Sequence, residues 1–358
     1  MFKKTFLAVD IGNKNIKVVW GYYSKPQIYI LEYDIVNTPG NIINDGRILS
    51  LEYIMKTLSG IIKKNKIKAN KLIMNISGTG VITREIQLPK STDDELESIL
   101  KYDAQQYFPV DLEDYVMDFK ILDDGASNNE NTCRVLLVAV PLKQANDYMY
   151  IAEKLKIEME AIDIPANSIT KLVYGNASSE KTKFEEAAIL DFGADTTGVY
   201  IFQDSKLMFN RILLSGSREI DKSLAKDQEI DISNAETLKI KKAKIFNDED
   251  EIGETEDSIQ ICNAIRPAIN SLMIDITRLI DFYASRSTYS KIQKIYMCGG
   301  GSMLAGLGKY VESYFNVPVE FLNNVANIEY KGKKSTEIFS KDYILLTNAI
   351  GALVRDSK

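Results

Sequence analysis

The chain has 358 residues, of which 45% are hydrophobic and 26% are charged, and its formal net charge is −6. That length exceeds what one compact core accommodates, so we expect at least two domains, and the acidic balance argues against binding of nucleic acid. The sequence contains no histidine, which excludes histidine-based catalytic triads, histidine metal ligands and histidine general bases.

Cysteine usage and hydropathy favour a cytoplasmic protein. Cys133, Cys262 and Cys298 are odd in number, far apart and in apolar contexts, as is typical of reduced, buried thiols. No apolar run reaches the roughly 18 residues that would suggest a membrane span. The N-terminal Met-Phe-Lys-Lys leads straight into a short apolar run without the cleavage site of a signal peptide.

The first predicted element is a β-hairpin with a polar turn. An apolar run ends at Asp10, the turn contains Gly12, and a second apolar run covers 16–20, a pattern that favours a hairpin. Glycine permits a positive φ and a close approach of a ligand to the main chain, and consecutive turn N–H groups can cradle a phosphate. The side chains that could add phosphate contacts are Asn13, Lys14, Asn15 and Lys17.

The rest of the first half alternates strands and helices. We expect a strand over 27–33, an amphipathic helix over 49–64 and a buried strand over 71–76. A β-α-β-β-α block follows, in which Thr92 and Glu95 are spaced as a capping box and Pro109 stops the helix. Its remaining elements are strands over 81–88, 115–122 and 134–141 and a helix over 144–155; a strand over 157–163 and a helix over 168–173 come next.

The hairpin pattern then recurs 181 positions later, after a polar linker over 175–186. Asp191 matches Asp10 and Gly193 matches Gly12, and the second turn continues through Ala194, Asp195, Thr196 and Thr197. One such hairpin is a weak signal, but two copies at matching positions indicate an internal duplication. Facing each other, the two turns would clamp a nucleotide's phosphates, with Asp10 and Asp191 holding Mg²⁺ through water.

The second half ends in a glycine-rich turn and two helices. Strands over 206–214, 292–298 and 317–322 are predicted, with helices over 219–224, 235–243, 259–284, 303–314 and 342–354 and an acidic solvated loop over 246–257. Pro267 should mark the start of the long helix or a kink in it. The strand ending at Cys298 runs into Gly299-Gly-Gly-Ser302, and N–H groups at the following helix N-terminus would favour an anionic or polar ligand. Ala349, Gly351 and Ala352 are small enough for close helix packing.

Two such hairpins and a later Gly-Gly-Gly turn, in this order, resemble the actin-like ATPase superfamily over essentially the whole chain. The resemblance implies an α/β fold of two duplicated RNase H-like domains around a nucleotide cleft, with ATP and Mg²⁺ as cofactors. It implies that Gly216 follows the second phosphate loop, that Glu236 and Lys239 bracket the ribose and base, and that the helix from Asn348 lies near the hinge. The implied adenosine motif is Gly299, Gly300, Gly301 and Ser302.

The domain organisation that we expect follows from the same resemblance. The first actin-like domain would comprise 1–81 and 161–186, with a small α+β subdomain inserted at 82–160. The second would comprise 187–340, with a helical subdomain at 233–288. The final helix, in 341–358, would return to the first domain.

The inserted block narrows the resemblance further. Thr83 to Pro89, Tyr107-Phe-Pro-Val-Asp111, Tyr115 to Asp118, and Arg211 with Leu214 to Gly216 resemble the PilM-type family of type IV pilus assembly, itself similar to the division protein FtsA. Family members bind the cytoplasmic N-terminal tail of a PilN-like inner-membrane protein, which would hold this chain at the inner face of the cytoplasmic membrane. The tail after Val354 is too short for an amphipathic anchor. Candidate peptide-lining residues are Phe108, Pro109 and Tyr115, with a place in the local core as the alternative.

Three functions remain open at this point. The favoured one is an assembly protein in which nucleotide acts as a conformational switch, with any hydrolysis slow and carried out by a water positioned by Asp10, Asp191 and Mg²⁺. A small-molecule kinase of the same superfamily would need a general base, for which Asp163 is the candidate. An FtsA-like filament former would self-associate.

Overall fold

The computed structural model describes residues 4–123, 131–174, 186–247, 253–285, 291–323 and 327–355. Most of the expected linker over 175–186 and the acidic run from Asp248 to Glu251 lie outside these residues. Within them, no helix is long and apolar enough to cross a membrane.

The first lobe is built on a six-stranded sheet. Its strands are β1 (Phe6–Ile11), β2 (Asn15–Ser24), β3 (Gln27–Asn37), β6 (Lys71–Asn75), β10 (Glu158–Asp163) and β16 (Ile328–Tyr330), in the spatial order β10-β6-β1-β2-β3-β16. A short ribbon of β4 (Ile43–Asn44) and β5 (Arg47–Ile48) lies beside it. The helices α1 (Leu51–Asn65) and α3 (Leu142–Leu155) bury Ile54, Leu58 and Ile151 in the same core.

The inserted subdomain is a three-stranded antiparallel sheet with one helix. The strands β7 (Ile82–Pro89), β8 (Tyr115–Asp123) and β9 (Thr132–Pro141) pair in the order β7-β9-β8. The helix α2 (Asp93–Asp103) starts with the predicted capping box, in which the side chains of Thr92 and Glu95 each accept from the other's backbone N–H. The sheet and helix share a small core that contains Leu88, Leu96 and Val135.

The second lobe repeats the layout on a five-stranded sheet. Its strands are β11 (Glu186–Phe192), β12 (Thr197–Gln203), β13 (Lys206–Leu213), β14 (Lys294–Cys298) and β15 (Val319–Phe321), in the order β13-β12-β11-β14-β15. Side chains alternate between the faces of a strand, and on β11 Ala187 and Ile189 face one core while Ala188 and Leu190 face the other. The lobe's helices are α5 (Ser217–Asp227), α6 (Ile232–Lys242), α7 (Glu256–Ala284) and α8 (Leu307–Phe315).

Two helices lie between the sheets. These are α4 (Pro165–Val173) and α9 (Thr336–Ala352), whose buried faces belong to a core that also contains Ile189 and Phe202 of the second sheet. They cross where Gly351 meets Ser168, since a Cβ at Gly351 would lie 2.0 Å from Ser168 O. The expected close packing at small residues is confirmed at this crossing.

Several element boundaries differ from expectation. Pro267 lies inside α7, which begins at Glu256 behind the N-cap Thr255, so it does not mark the helix start. After the glycine-rich turn, Gly300–Met303 forms a 3₁₀ turn and α8 starts only at Leu307. Its N-cap residue Gly306 has φ +81°, a left-handed conformation that separates the 3₁₀ turn from the helix. The helix α9 starts earlier than expected, at the N-cap Ser335. The three-residue strand β16 was too short to detect from its pattern.

Candidate functional site

Both Asp-x-Gly segments form the tight turns of antiparallel hairpins. The N–H of Gly12 donates to Asn15 O at 3.0 Å, and the N–H of Gly193 donates to Thr196 O at 2.8 Å. Neither glycine has a positive φ, so that part of the expectation was wrong. Glycine is required for close approach instead, because a Cβ would lie 3.1 Å from Asn15 O at Gly12 and 2.7 Å from Thr196 O at Gly193.

The two acidic residues converge on one lysine. Lys17 lies opposite Asp10 in the register of the first hairpin, and its Nζ is 2.8 Å from Asp10 Oδ2. Burial lowers the pKa of Lys17, but the charges of Asp10 and Asp191 outweigh burial and hold that pKa above its ordinary value. Lys17 therefore pairs with Asp10 of its own lobe and lies within the electrostatic field of Asp191 from the other lobe.

Asp191 has a second partner that the motif did not reveal. Asn348 of α9 donates its side-chain amide to Asp191 Oδ2 at 3.0 Å, and the Asn348 main-chain O accepts from the Asn75 amide at 3.0 Å. Burial raises the pKa of Asp191, while Asn348 and Lys17 oppose that rise. An asparagine within an otherwise apolar helical stretch was the signal that could have identified this contact.

The glycine-rich turn packs directly on the second hairpin. Gly299 has φ +80°, and a Cβ there would lie 2.4 Å from Asp191 Oδ1 and 2.5 Å from Phe192 O. A Cβ at Gly301 would lie 3.1 Å from Phe192 O, and one at Gly300 would lie 3.3 Å from Leu345. The buried Ser302 donates its hydroxyl to Gly299 O at 2.7 Å, which closes the turn.

The helix α5 is tied to the second turn through main-chain bonds. The N–H groups of Ser217 and Arg218 donate to Gly193 O at 3.0 Å and Ala194 O at 2.8 Å. Gly216 allows this, because a Cβ there would lie 2.6 Å from Ala194 O. Serine at 217, next to that glycine, therefore does not prevent close approach. The buried Thr197 donates its hydroxyl to Ser215 O at 2.7 Å.

Side chains from the two lobes meet across the cleft. Lys14 Nζ lies 2.5 Å from Glu236 Oε1 on α6, and the Asn13 amide donates to Asp195 Oδ2. Asp195 also forms an ion pair with Arg218, a residue that sequence reasoning missed. Four of the candidate nucleotide-binding residues thus form two contacts between the lobes, Lys14 with Glu236 and Asn13 with Asp195.

Lys239 is placed differently from its expected partner Glu236. Its Nζ lies 2.7 Å from Asp221 Oδ1 in a largely buried pair and 3.3 Å from Ser217 O. The amine therefore braces α6 against α5. Any contact with a ribose or base would have to come from its aliphatic stem or after a rearrangement.

The arrangement fits a magnesium ion that arrives with a phosphate ligand. Among the described residues, no group of three or more His, Cys, Asp and Glu side chains is placed to hold a metal. Asp10 and Asp191 supply two carboxylates against the one positive charge of Lys17. Mg²⁺ keeps much of its water and joins one or two carboxylates to substrate phosphates, so this donor set suits it.

The candidate peptide-lining residues and the candidate general base Asp163 lie among contacts that stabilise the fold. Phe108 is only 3% exposed and belongs to the core of the inserted subdomain, and Tyr115 packs against that core while Pro109 is exposed. Asp163 lies 2.5 Å from Lys171 Nζ and 3.5 Å from Arg355, and it accepts from the Asn167 amide at 2.7 Å. These contacts fit the local-core interpretation of Phe108 and a structural role for Asp163.

Comparisons with known proteins agree with this architecture. The family model described as type IV pilus assembly protein PilM matches residues 8–357. A solved PilM-PilN type IV pilus biogenesis complex is 20% identical, with a TM-score of 0.82, and the match covers 98% of this chain and 97% of that one.

More distant structures share the fold. The ethanolamine utilization protein EutJ from Carboxydothermus hydrogenoformans is 11% identical with a TM-score of 0.59, over 99% of this chain and 90% of that one. MreB 5 of Spiroplasma citri, bound to AMPPNP, is 13% identical with a TM-score of 0.54, over 98% of this chain and 95% of that one. The fold is therefore actin-like, and the chain belongs to the PilM family of type IV pilus assembly proteins.

Proposed function

We propose that this chain binds Mg-ATP between its lobes and that the nucleotide controls its hold on the cytoplasmic N-terminal peptide of a PilN-like membrane protein. The observation that carries the proposal is that the two Asp-x-Gly turns meet between the lobes, where the Asn13 amide donates to Asp195 Oδ2 and Lys17 pairs with Asp10 within the electrostatic field of Asp191. Asp10 is buried and Lys17 and Asp191 are partly buried at the meeting point of the two turns. Ionisable groups withdrawn from water in this way are costly to the fold, and such sites are candidates for function.

Each residue has a distinct task in this proposal. Lys17 would exchange its contact with Asp10 for a phosphate oxygen, and Asp10 and Asp191 would hold the Mg²⁺ that accompanies the phosphates. The magnesium ion would neutralise phosphate charge. Asn348 keeps Asp191 oriented, and Gly299 lets the adenosine turn lie against the second phosphate turn. The same carboxylates would position a water for slow hydrolysis, as suits a switch.

A cavity at the junction of three parts of the molecule is our candidate for the peptide site. It has a volume of about 210 Å³ and is lined by Ser77 to Thr79 of the first lobe, Ile82 to Arg84 of the inserted subdomain, and Asn210 to Ile212 of the second lobe. This is smaller than a typical ligand pocket of about 300–1,000 Å³. It suits one or two anchoring side chains of an extended peptide whose remainder lies along the surface.

The inserted subdomain contacts β13, the strand that leads into α5. Thr83 on β7 donates its hydroxyl to the Asn210 side-chain oxygen at 2.8 Å, and Arg134 on β9 donates to Leu207 O at 2.9 Å. Asn210 and Leu207 lie on β13, which continues through Gly216 into α5. Because α5 is bonded to the turn at Gly193, movement of that turn on nucleotide binding would be transmitted to the cavity.

Isothermal titration with Mg-ATP tests the nucleotide site. Asp191→Ala should abolish measurable binding, whereas Asp227→Ala, at the exposed far end of α5, should bind like wild type. Equal affinity of Asp191→Ala and wild type would refute the site assignment.

Fluorescence anisotropy tests the coupling, with a labelled synthetic peptide that corresponds to the cytoplasmic N-terminal tail of a PilN-like protein. ATP should change the peptide Kd of wild type. The variant Thr83→Ala/Asn210→Ala should bind the peptide with a Kd that no longer responds to ATP. A nucleotide response that survives in this variant would contradict the route through β13.

The kinase alternative is not favoured by any observation. Its candidate base, Asp163, already has Lys171, Asn167 and Arg355 as partners. A screen for ADP production with sugars and acetate would reveal such an activity.

A further inference from the structure

The phosphate-2 turn carries a negative charge where a polyphosphate would lie. Asp195 occupies the position that Lys14 has in the first turn, 181 residues earlier. An ionised carboxylate only accepts hydrogen bonds, so Asp195 cannot donate to a phosphate as the hydroxyls of the turn can. Its negative charge also repels a phosphate. Something must neutralise that charge if an anionic ligand is to enter.

The structure supplies one cation and one hydrogen-bond donor to Asp195, one from each lobe. The Arg218 Nε forms an ion pair with Asp195 Oδ1, and the Asn13 amide from the first lobe donates to Asp195 Oδ2. The Arg218 side chain is 39% exposed and that of Asp195 is 31% exposed. Both groups therefore lie at the solvent-accessible part of the cleft, where a ligand can reach them.

Arg218 is held over the turn by its own backbone. Its N–H donates to Ala194 O at 2.8 Å, so its main chain stays beside the turn whatever the side chain does. A guanidinium has five donors in a planar fork that matches phosphate geometry, and the pair with Asp195 is made through Nε. The remaining edge of the fork suits a second anion.

The geometry points to Arg218 as a polyphosphate-binding residue that Asp195 holds in position until the nucleotide takes it over. This inference rests on the proposed nucleotide site and adds a residue to it. When the nucleotide binds, the Arg218 guanidinium moves from Asp195 to the phosphates. Asp195 then lacks a cationic partner, and the phosphates repel its carboxylate from the cleft. The contact between Asp195 and Asn13 joins the two lobes, so its loss would also release one of the polar links across the cleft.

A structural ion pair would behave differently when either partner is removed. If Arg218 and Asp195 only brace the turn, Arg218→Gln and Asp195→Asn both weaken nucleotide binding. If Asp195 holds Arg218 for the phosphates, the two variants have opposite effects. Arg218→Gln loses a charged phosphate contact, whereas Asp195→Asn removes a repulsion and frees the guanidinium.

The test is isothermal titration with Mg-ATP and with AMP. Arg218→Gln should weaken ATP binding by about tenfold or more, the loss expected for one charged hydrogen bond, while the AMP affinity stays within error. Asp195→Asn should tighten ATP binding, and Arg218→Lys, which keeps the charge without the fork, should fall between wild type and Arg218→Gln. Lys222→Gln serves as control, because Lys222 lies on the exposed face of the same helix and pairs with Glu219.

The outcomes separate this inference from the proposal on which it rests. Weaker ATP binding in both Arg218→Gln and Asp195→Asn, or an equal loss for ATP and AMP, would overturn the role of Arg218 while wild type still binds nucleotide. Absence of ATP binding by wild type would overturn both. Matching circular dichroism spectra and Tm values would establish that the variants are folded.

Discussion

Lys17 and Asp10 lie directly opposite each other on the two strands of the first hairpin, 2.8 Å apart at their charged atoms. The pair is largely buried, with 18% of the Lys17 side chain and 10% of the Asp10 side chain exposed, and Asp191 of the other lobe contributes to the field that keeps Lys17 charged. One positive charge thus serves two carboxylates that come from different halves of the chain.

Replacing Lys17 should therefore destabilise the folded protein and make its stability depend on the magnesium concentration. Lys17→Gln should lower the free energy of unfolding by about 3 kcal/mol, because breaking a buried pair leaves an uncompensated charge. Thermal unfolding with and without Mg²⁺ measures this loss of stability. The ion should raise the Tm of the variant more than the Tm of wild type. In the control Lys4→Gln, an exposed pair with Glu160 is lost, so the cost should stay below about 1 kcal/mol. An equal cost for the two variants would contradict the buried-charge interpretation.

Glycine at 299 is predicted to be irreplaceable. An alanine there would combine a φ of +80° with a Cβ 2.4 Å from Asp191 Oδ1, so Gly299→Ala should destabilise the fold by about 2–4 kcal/mol and weaken Mg-ATP binding. Urea unfolding and titration check both effects. In α1, by contrast, a Cβ at the exposed Gly60 meets no atom within 4 Å, and Gly60→Ala should stabilise by about 0.5–1 kcal/mol. Normal ATP binding by folded Gly299→Ala would argue against the role of this turn.

The Asn348 amide should contribute to the affinity for Mg-ATP, whereas the neighbouring Asn75 should not. Asn348→Ala leaves Asp191 without its amide donor and Asn75→Ala removes a bond to the α9 main chain, so each should cost about 1–3 kcal/mol of stability. Only Asn348→Ala should also raise the Kd for Mg-ATP. Chemical denaturation paired with titration separates the two effects, and equal losses of ATP affinity would reduce Asn348 to a packing residue.

The contact between the inserted subdomain and the second lobe should depend on pH through Glu85. Burial raises the pKa of Glu85 from its ordinary 4.5 to about 7, against the opposing charges of Arg134 and Arg211 and a hydrogen bond from Asn210. Because the folded chain then holds a proton that the unfolded chain has released, the stability contributed by this group falls as pH rises between those values.

Glu85→Gln should remove this dependence. The stability of the variant relative to wild type should increase by about 2–3 kcal/mol between about pH 5 and about pH 8, at 1.36 kcal/mol per pKa unit. Urea unfolding across that range measures the difference. A constant difference between the two proteins would mean that Glu85 is ionised at the interface throughout.

The sequence predicted those parts of the molecule that depend on local pattern. Two Asp-x-Gly turns at a fixed separation predicted both hairpins, and the Thr92 capping box predicted the start of α2. Long apolar periodicities predicted α1 and most of α7. These features succeed because the residues that determine them are close together in the chain.

Features that depend on distant contacts were beyond such reasoning. The strand β16 has three residues and exists because it pairs with β3, some 300 positions earlier in the chain. Arg218 carries no motif, and its place beside Asp195 follows from the bonding of α5 to the turn. Local sequence left Phe108 open between a peptide-binding surface and the local core, and the small core of the inserted subdomain encloses it.

The position of α9 has a consequence for how the polypeptide matures. Leu346, Ala349, Ile350 and Leu353 are fully enclosed in a core whose other members include Leu7, Val9 and Ile73 near the opposite end of the sequence. During synthesis the first lobe therefore emerges from the ribosome with its interior incomplete and stays so until α9 has been made. The first-lobe segments of nascent chains should therefore stay protease-sensitive until α9 has been made.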